Sequence, residues 1–154
     1  MSQEQQAGKG KAGAPGGLSR WMQHKANARV IRKVRRGRGA VMGMEVLVLN
    51  TVGRRSGQPR ETPVAYFADG ADAWLVVASG GGSRHPDWHE NLMAHPERAS
   101  VEVVGRGQVP VTPRVLDGAD REQAWRLIAA AQPRIAKYQS KSERQYPVVR
   151  LTPR

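Results

Sequence analysis

Apolar residues fall along this chain in short runs rather than long helical stripes. Residues 46–49 (Val-Leu-Val-Leu) and 74–78 (Trp-Leu-Val-Val-Ala) are unbroken, as in strands buried on both faces. A further run covers residues 63–67, and residues 101–104 and 109–116 make a pair around Gly105-Arg106-Gly107. In the last of these Val109, Val111 and Val115 alternate, while Pro110 and Pro113 place it at an edge or a bulge. Residues 148–151 form a sixth predicted strand. Asp69-Gly70 marks a hairpin between Phe67 and Trp74.

Helical signals interrupt the strands. Residues 18–36 have the length and propensity of a helix, with Ser19 as its N-cap and Gly37 and Gly39 past its end. Its apolar residues split between two faces: Leu18, Trp21 and Met22 on one, Val30, Ile31 and Val34 on another. The second group is expected to dock on the body, and the first to cover a site or meet a membrane. Pro86 opens a second helix that reaches about Ala94 and turns Trp88, Leu92 and Met93 inward. A third, residues 120–132, sets Ala124, Leu127, Ile128 and Ala131 on one face until Pro133 breaks it. Six strands joined mainly by hairpins predict an α+β fold: a small six-stranded antiparallel barrel with helices packed outside.

Length and composition narrow this picture. The 154 residues suit one domain, and 17 Gly with 10 Pro favour short elements. No run nears the roughly 20 apolar residues that cross a bilayer, and no apolar core of signal-peptide type opens the chain. A cytoplasmic protein is therefore expected. Cysteine is absent, which excludes disulfides.

The charge of +12 is uneven. Residues 1–40 carry ten Lys/Arg against Glu4 alone, and residues 41–154 carry fifteen against twelve acids. Residues 1–17 read as a disordered basic tail, 18–36 as a basic helix and 40–154 as the folded domain. A basic arm of this kind attracts polyanions: nucleic acid, an anionic membrane surface at the inner face of the cell, or an acidic ligand tail.

Two stretches carry candidate chemistry. Residues 53–60, Gly-Arg-Arg-Ser-Gly-Gln-Pro-Arg, form a turn between two strands, and a hairpin needs the glycines but not the arginines. Arg54, Arg55 and Arg60 suit a ligand with phosphate or carboxylate groups, which guanidinium binds in bidentate fashion. A solvated basic hairpin is the plainer reading. The second stretch runs from the apolar strand through Ser79-Gly80-Gly81-Gly82-Ser83 into the helix at Pro86. Glycines before a helix N-terminus favour anions, and a merely flexible loop is again the plainer reading. His85, Asp87, His89 and His95 do not have zinc spacing, so no metal is expected. Ser56 and Ser79 sit in no nucleophile elbow.

Residues 50–60 resemble the strand-and-turn motif of the deazaflavin-dependent nitroreductases, which use coenzyme F-420 on a split β-barrel. Ala78 to Gly82, then His85-Pro86-Asp87-Trp88, Asn91-Leu92 and Ala94-His95-Pro96, are similar to that family's second signature. Tyr138-Gln139 and Arg144 with Pro147-Val148-Val149 resemble its C-terminal segment. The likeness covers residues 45–153.

The resemblance implies that Arg54, Arg55, Ser56 and Arg60 hold the coenzyme's phosphate and the start of its oligoglutamate tail. Thr62, Pro63 and the backbone of Val77, Ala78, Ser79 and Gly80 would line the deazaflavin ring, with Asp87, Trp88 and Asn91 beside it. Tyr138 and Ser79 are the implied donors to the substrate, under a mobile cover formed by residues 133–146. There are departures. Gly80 stands where the family often has Lys, so one cationic anchor is missing. Gln132 and Ile135 stand where tyrosines are expected, and Ile135 should make the substrate pocket greasier. The implied activity is hydride transfer from the reduced deazaflavin to a quinone or nitroaromatic. The rival is a non-catalytic module that binds a polyanion such as nucleic acid, or the coenzyme. Against nucleic acid, Phe and Tyr number one and three, few for stacking bases.

Overall fold

The computed structural model describes residues 17–80 and 83–154. The expectations for residues 1–16, the Ser19 cap and Gly81-Gly82 lie outside its described residues and side chains. The described chain contains the strands β1 (Ala40–Val41), β2 (Met44–Val52), β3 (Pro59–Ala65), β4 (Phe67–Ala68), β5 (Trp74–Val77), β6 (Ser100–Val103), β7 (Gly107–Val115) and β8 (Val148–Pro153). Its helices are α1 (Gly17–Arg35), α2 (Asp87–Ala94), α3 (Gly118–Ala131) and α4 (Pro133–Lys141).

Every ladder is antiparallel, and two segments change partner. Residues 107–110 of β7 pair with β6, and residues 111–115 pair with β8. Residues 59–65 lie on β2, the chain bends at Tyr66, and residues 67–68 lie on β5. Each switch turns a corner between two half-sheets, as in orthogonal sheet packing. The result is a split antiparallel barrel. Pro110 sits at the first corner, where a missing N–H is least costly to the ladder.

All six predicted strands are present, but the count is eight, because β1 and β4 are only two residues long. Such pieces are too short to show alternation in sequence. The β1–β2 turn is built on Met42 and Gly43, with φ 52° and 81°, the two positive angles of a type I′ turn. Methionine at the first of these positions hides that turn from a sequence reading.

Inside the barrel Leu47, Leu49, Val76, Val101, Val111 and Leu151 are fully buried, and Leu92 of α2 joins them. On the outer side of β5 and β8, Leu75, Val77 and Val148 pack beneath Ala124 and Ile128 of α3. Met93 and Leu127, expected inward, are exposed. Helix α1 docks through Ile31 and Val34 onto Val46 and Val48, and burying each such side chain contributes about 1.5–3 kcal/mol. Arg35 then spans two strands, with Nε 2.8 Å from Glu102 Oε1 and Nη2 2.5 Å from Glu61 Oε2. Leu18, Trp21 and Met22, at the other end of α1, are exposed.

The helix before Pro133 ends as expected, α3 stopping at Ala131 with Gln132 at φ −143°. Pro133 then occupies the first turn of a further helix, α4, where its missing N–H is harmless. Ile135 is partly buried against the cluster under α3, and Tyr146 is buried in the same cluster. Gln139 braces the following strap, donating to the Arg144 carbonyl at 2.9 Å and accepting from the Tyr146 N–H at 2.7 Å. Residues 133–146 thus form a helix and strap that rest against the cluster under α3.

Candidate functional site

The β2–β3 turn is closed by main-chain bonds from Gly53 N–H to Gln58 O and from Gly57 N–H to Gly53 O, both 2.8 Å. Gly57 adopts φ 70°, and a Cβ on Gly53 would lie 2.6 Å from Ser56 Oγ. Both glycines are therefore required by the turn itself. Ser56 Oγ accepts from Gln58 N–H at 3.1 Å and from Arg60 Nη2 at 3.5 Å, so this hydroxyl shapes the turn. Arg55 projects at the exposed tip.

Arg54 is fixed by α2. Asn91 is buried, and its Oδ1 accepts from the main-chain N–H and from Nη1 of Arg54, each at 3.0 Å. Asp87 Oδ1 lies 3.3 Å from Nη2 of the same guanidinium and 3.8 Å from Arg84 Nη2. Asp87 and Asn91 therefore hold the basic turn against the start of α2.

A second arginine organises the segment after β5. Arg144 donates to the carbonyl of Ala78 at 3.0 Å, of Ser79 at 3.1 Å and of Gly80 at 2.5 Å. Its Nη1 also meets His85 Nδ1 at 3.1 Å, and its guanidinium lies over the Tyr146 ring, 4.9 Å from the centroid. Collecting three successive carbonyls on one cation fixes how this segment faces its surroundings. Sequence gave no hint of this role beyond an arginine shortly before Pro147-Val148-Val149, since the partners lie 59–66 residues away.

Between these groups lies a cleft of about 490 Å³, lined by Arg54, Ser83, Arg84, His85, Glu90 and Arg144. Three guanidiniums against one carboxylate make it attractive to anions. His89 is buried, and its Nδ1 has no hydrogen-bond partner among the described residues. Burial pushes its pKa below the ordinary value, His85 and Arg144 add to the shift, and Glu90 opposes it. Among the described residues no three His, Asp or Glu side chains gather as metal ligands.

The expected site residues are brought together unequally. Arg54, Asp87 and Asn91 form one cluster, joined across the cleft to Ala78, Ser79 and Gly80 through Arg144. Thr62 lies on the inner face of β3 with Val64, whereas Pro63 is opposite Val48 and faces α1, because neighbours on a strand alternate. Their side chains thus do not share a surface. Ala78 is buried with its N–H given to Pro147 O and its carbonyl to Arg144, so it has little left for a ligand. Val77 packs its side chain beneath α3, and Trp88 rests partly buried against the barrel interior. Tyr138, on α4, is 54% exposed.

A family model described as F420H(2)-dependent quinone reductase matches residues 21–153. A quinone reductase of that description from Mycobacterium tuberculosis is 35% identical over 151 residues, covering 89% of this chain and 99% of the relative. A solved F420-H2 dependent reductase (FDR-A) superposes with a TM-score of 0.61 at 34% identity, covering 69% of this chain and 92% of that one. A second solved chain, described as a domain-swapped dimer, gives 0.63 at 29% identity, covering 88% and 99%.

Proposed function

The chain belongs to the F420H(2)-dependent quinone reductase family, and from that premise we propose how its own residues serve the family's chemistry. The reaction is hydride transfer from the reduced deazaflavin coenzyme F-420 to a quinone. When bound, the coenzyme supplies the hydride, and the protein binds, orients and excludes competing reactions.

The residues present fit such a group. The carrying observation is the clamped turn: Arg54, fixed by Asn91 and Asp87, stands beside a cleft of about 490 Å³ whose lining is mainly cationic. Arg55 and Arg60 are exposed on the same turn and reach outward for phosphate and the first carboxylates of the tail. Asp87 and Asn91 contribute by positioning Arg54. Among the described residues a Cβ on Gly80 would meet nothing within 4 Å, which supports placing a flat ring against the backbone of residues 79–80. Thr62 lines the same ring from the barrel side, and Trp88 backs it. Tyr138 and Ser79 are the hydroxyls that would steady the acceptor's oxygen. Quinones are the primary acceptors in this reading, and nitroaromatics are secondary ones.

Helix α1 adds a peripheral contact with an anionic membrane. Its exposed Leu18, Trp21 and Met22 are interleaved with Arg20 and Lys25, and Lys25 Nζ lies 4.9 Å from the centre of the Trp21 ring. This arrangement suits an interfacial helix on acidic lipid. No described helix is long and apolar enough to cross a membrane. Titrating deazaflavin fluorescence with the protein tests the coenzyme site. Arg55→Ala should weaken binding about tenfold, the scale of a lost charge-assisted hydrogen bond. Unchanged affinity in Arg55→Ala and Arg60→Ala alike would leave the turn a mere hairpin.

A further inference from the structure

We propose that Arg84 and His85 form a second anion-binding subsite, continuous with the basic turn, and that Arg144 is the residue that sets the tautomer of His85. The inference rests on the coenzyme reading above and deepens it, because the anion it assigns is the phosphate or a tail carboxylate of the coenzyme.

The tautomer follows from donor and acceptor counting. A guanidinium has only donors, so the 3.1 Å contact between Arg144 Nη1 and His85 Nδ1 makes Nδ1 the acceptor. The neutral ring then carries its proton on Nε2. Arg144 cannot turn away freely, because Nη1 also donates to the carbonyl of Ala78 and Nη2 donates to those of Ser79 and Gly80. His85 lines the cleft, with its ring edge-on to His89 at 5.1 Å between centroids, and in this proposal its Nε2–H is the donor offered to the anion.

Arg84 supplies the charge. Its side chain is 75% exposed, and Asp87, at 3.8 Å, is shared with Arg54 at 3.3 Å. One carboxylate between two guanidiniums leaves a positive surplus, and Glu90 is the one acid in the cleft lining. The first turn of α2 opens beside these residues without a side-chain cap on its main-chain N–H groups, which adds to the attraction for a negative group. A fixed N–H donor, an under-neutralised guanidinium and a helix start together recognise an oxygen of phosphate or carboxylate type.

The test titrates coenzyme F-420 with short and with long glutamate tails, and the riboside fragment that lacks phosphate and tail, against four proteins: wild type, Arg84→Ala, His85→Asn and His85→Gln. Arg84→Ala and His85→Asn should weaken the full coenzyme about tenfold and leave the riboside unchanged. His85→Gln should keep most of the affinity, because its amide nitrogen reaches the place of Nε2 while that of Asn does not. A loss equal at all tail lengths assigns the phosphate, and one that grows with length assigns the carboxylates. Equal losses for coenzyme and riboside, or equal behaviour of the Gln and Asn variants, would overturn the subsite. Nitrogen-15 spectra of the His85 ring give an independent readout: protonation on Nε2 is expected in the wild type, and protonation on Nδ1 would overturn the proposal. Arg144→Met should produce a mixture of tautomers. Wild type that binds neither ligand would instead remove the coenzyme reading itself, and this subsite with it.

Discussion

Asn91 holds Arg54 at two points, its Oδ1 accepting from the backbone N–H and from the guanidinium at the same distance of 3.0 Å. One buried amide thus ties the turn after β2 to the helix that follows β5. Asn91→Ala should cost about 1–3 kcal/mol of stability, the range for leaving a buried polar group without its partner. It should also weaken the coenzyme, since Arg54 would no longer be pre-set. Urea unfolding and a fluorescence titration measure the two effects. Stability lost with no change in affinity would mean that the clamp serves the fold alone.

Arg35 plays a comparable part for α1. Its hydrogen bonds lower the pKa of Glu102 from its ordinary value, with burial of the acid opposing the shift and Asn50 Nδ2, 3.1 Å away, reinforcing it. Arg35→Ala should loosen α1 while Ile31 and Val34 keep it partly docked. Limited proteolysis between α1 and β2 should quicken, and the barrel should unfold at nearly the same urea concentration. Because Arg35 is 43% exposed, solvent screens the pair, and about 1 kcal/mol is the most it should contribute. No change in cleavage would mean that the two aliphatic side chains dock α1 unaided.

Most of the barrel was legible in sequence because its strands are short apolar runs bounded by Gly and Pro, and each of the six predicted runs corresponds to a strand. What stayed hidden depended on partners far along the chain. Proline at 133 marks the end of α3 correctly, but nothing local shows that it also opens α4. Ile135 looked like a pocket residue, but whether it faces a pocket or Ile128 is decided by docking. The arginines of residues 54–60 stood out by composition, whereas Arg144 did not, since nothing local distinguishes it. Thr62 and Pro63 were adjacent in sequence yet belong to opposite faces of β3, a consequence of the two-residue strand period.

His89 gives a pH dependence with a definite sign. Burial keeps its ring neutral and its pKa below the ordinary 6.5, so the unfolded chain takes up the proton first as pH falls. Its neutral form is fully tolerated above about pH 6.5, and stability should decline from there down to the lowered folded value. Thermal unfolding between pH 7 and pH 5 measures this. His89→Phe should flatten the slope, and an unaltered slope would place the dependence elsewhere.

Tyr138 and Ser79 make competing claims on the acceptor. Tyr138→Phe should slow quinone and nitro acceptors alike without altering coenzyme affinity, the outcome expected if the lost hydroxyl meets the acceptor and not the coenzyme. If Ser79→Ala alone slows reduction, α4 is packing and the serine is the donor. Because Ile135 packs partly buried against the cluster under α3, Ile135→Tyr should destabilise the protein by overpacking, and a gain in nitro reduction without loss of stability would instead favour a pocket role for this position.

Turnover tests the central claim most directly. Purified protein is mixed anaerobically with reduced coenzyme F-420 and a soluble quinone, and the return of the oxidised deazaflavin's absorbance is followed. We predict saturable oxidation, with one coenzyme consumed per quinone, and a strongly reduced rate in the Arg54→Ala/Arg55→Ala double variant at sub-saturating coenzyme. A rate equal to that without protein, over a range of quinones and with the coenzyme demonstrably bound, would contradict it and leave a protein that holds the deazaflavin without using it.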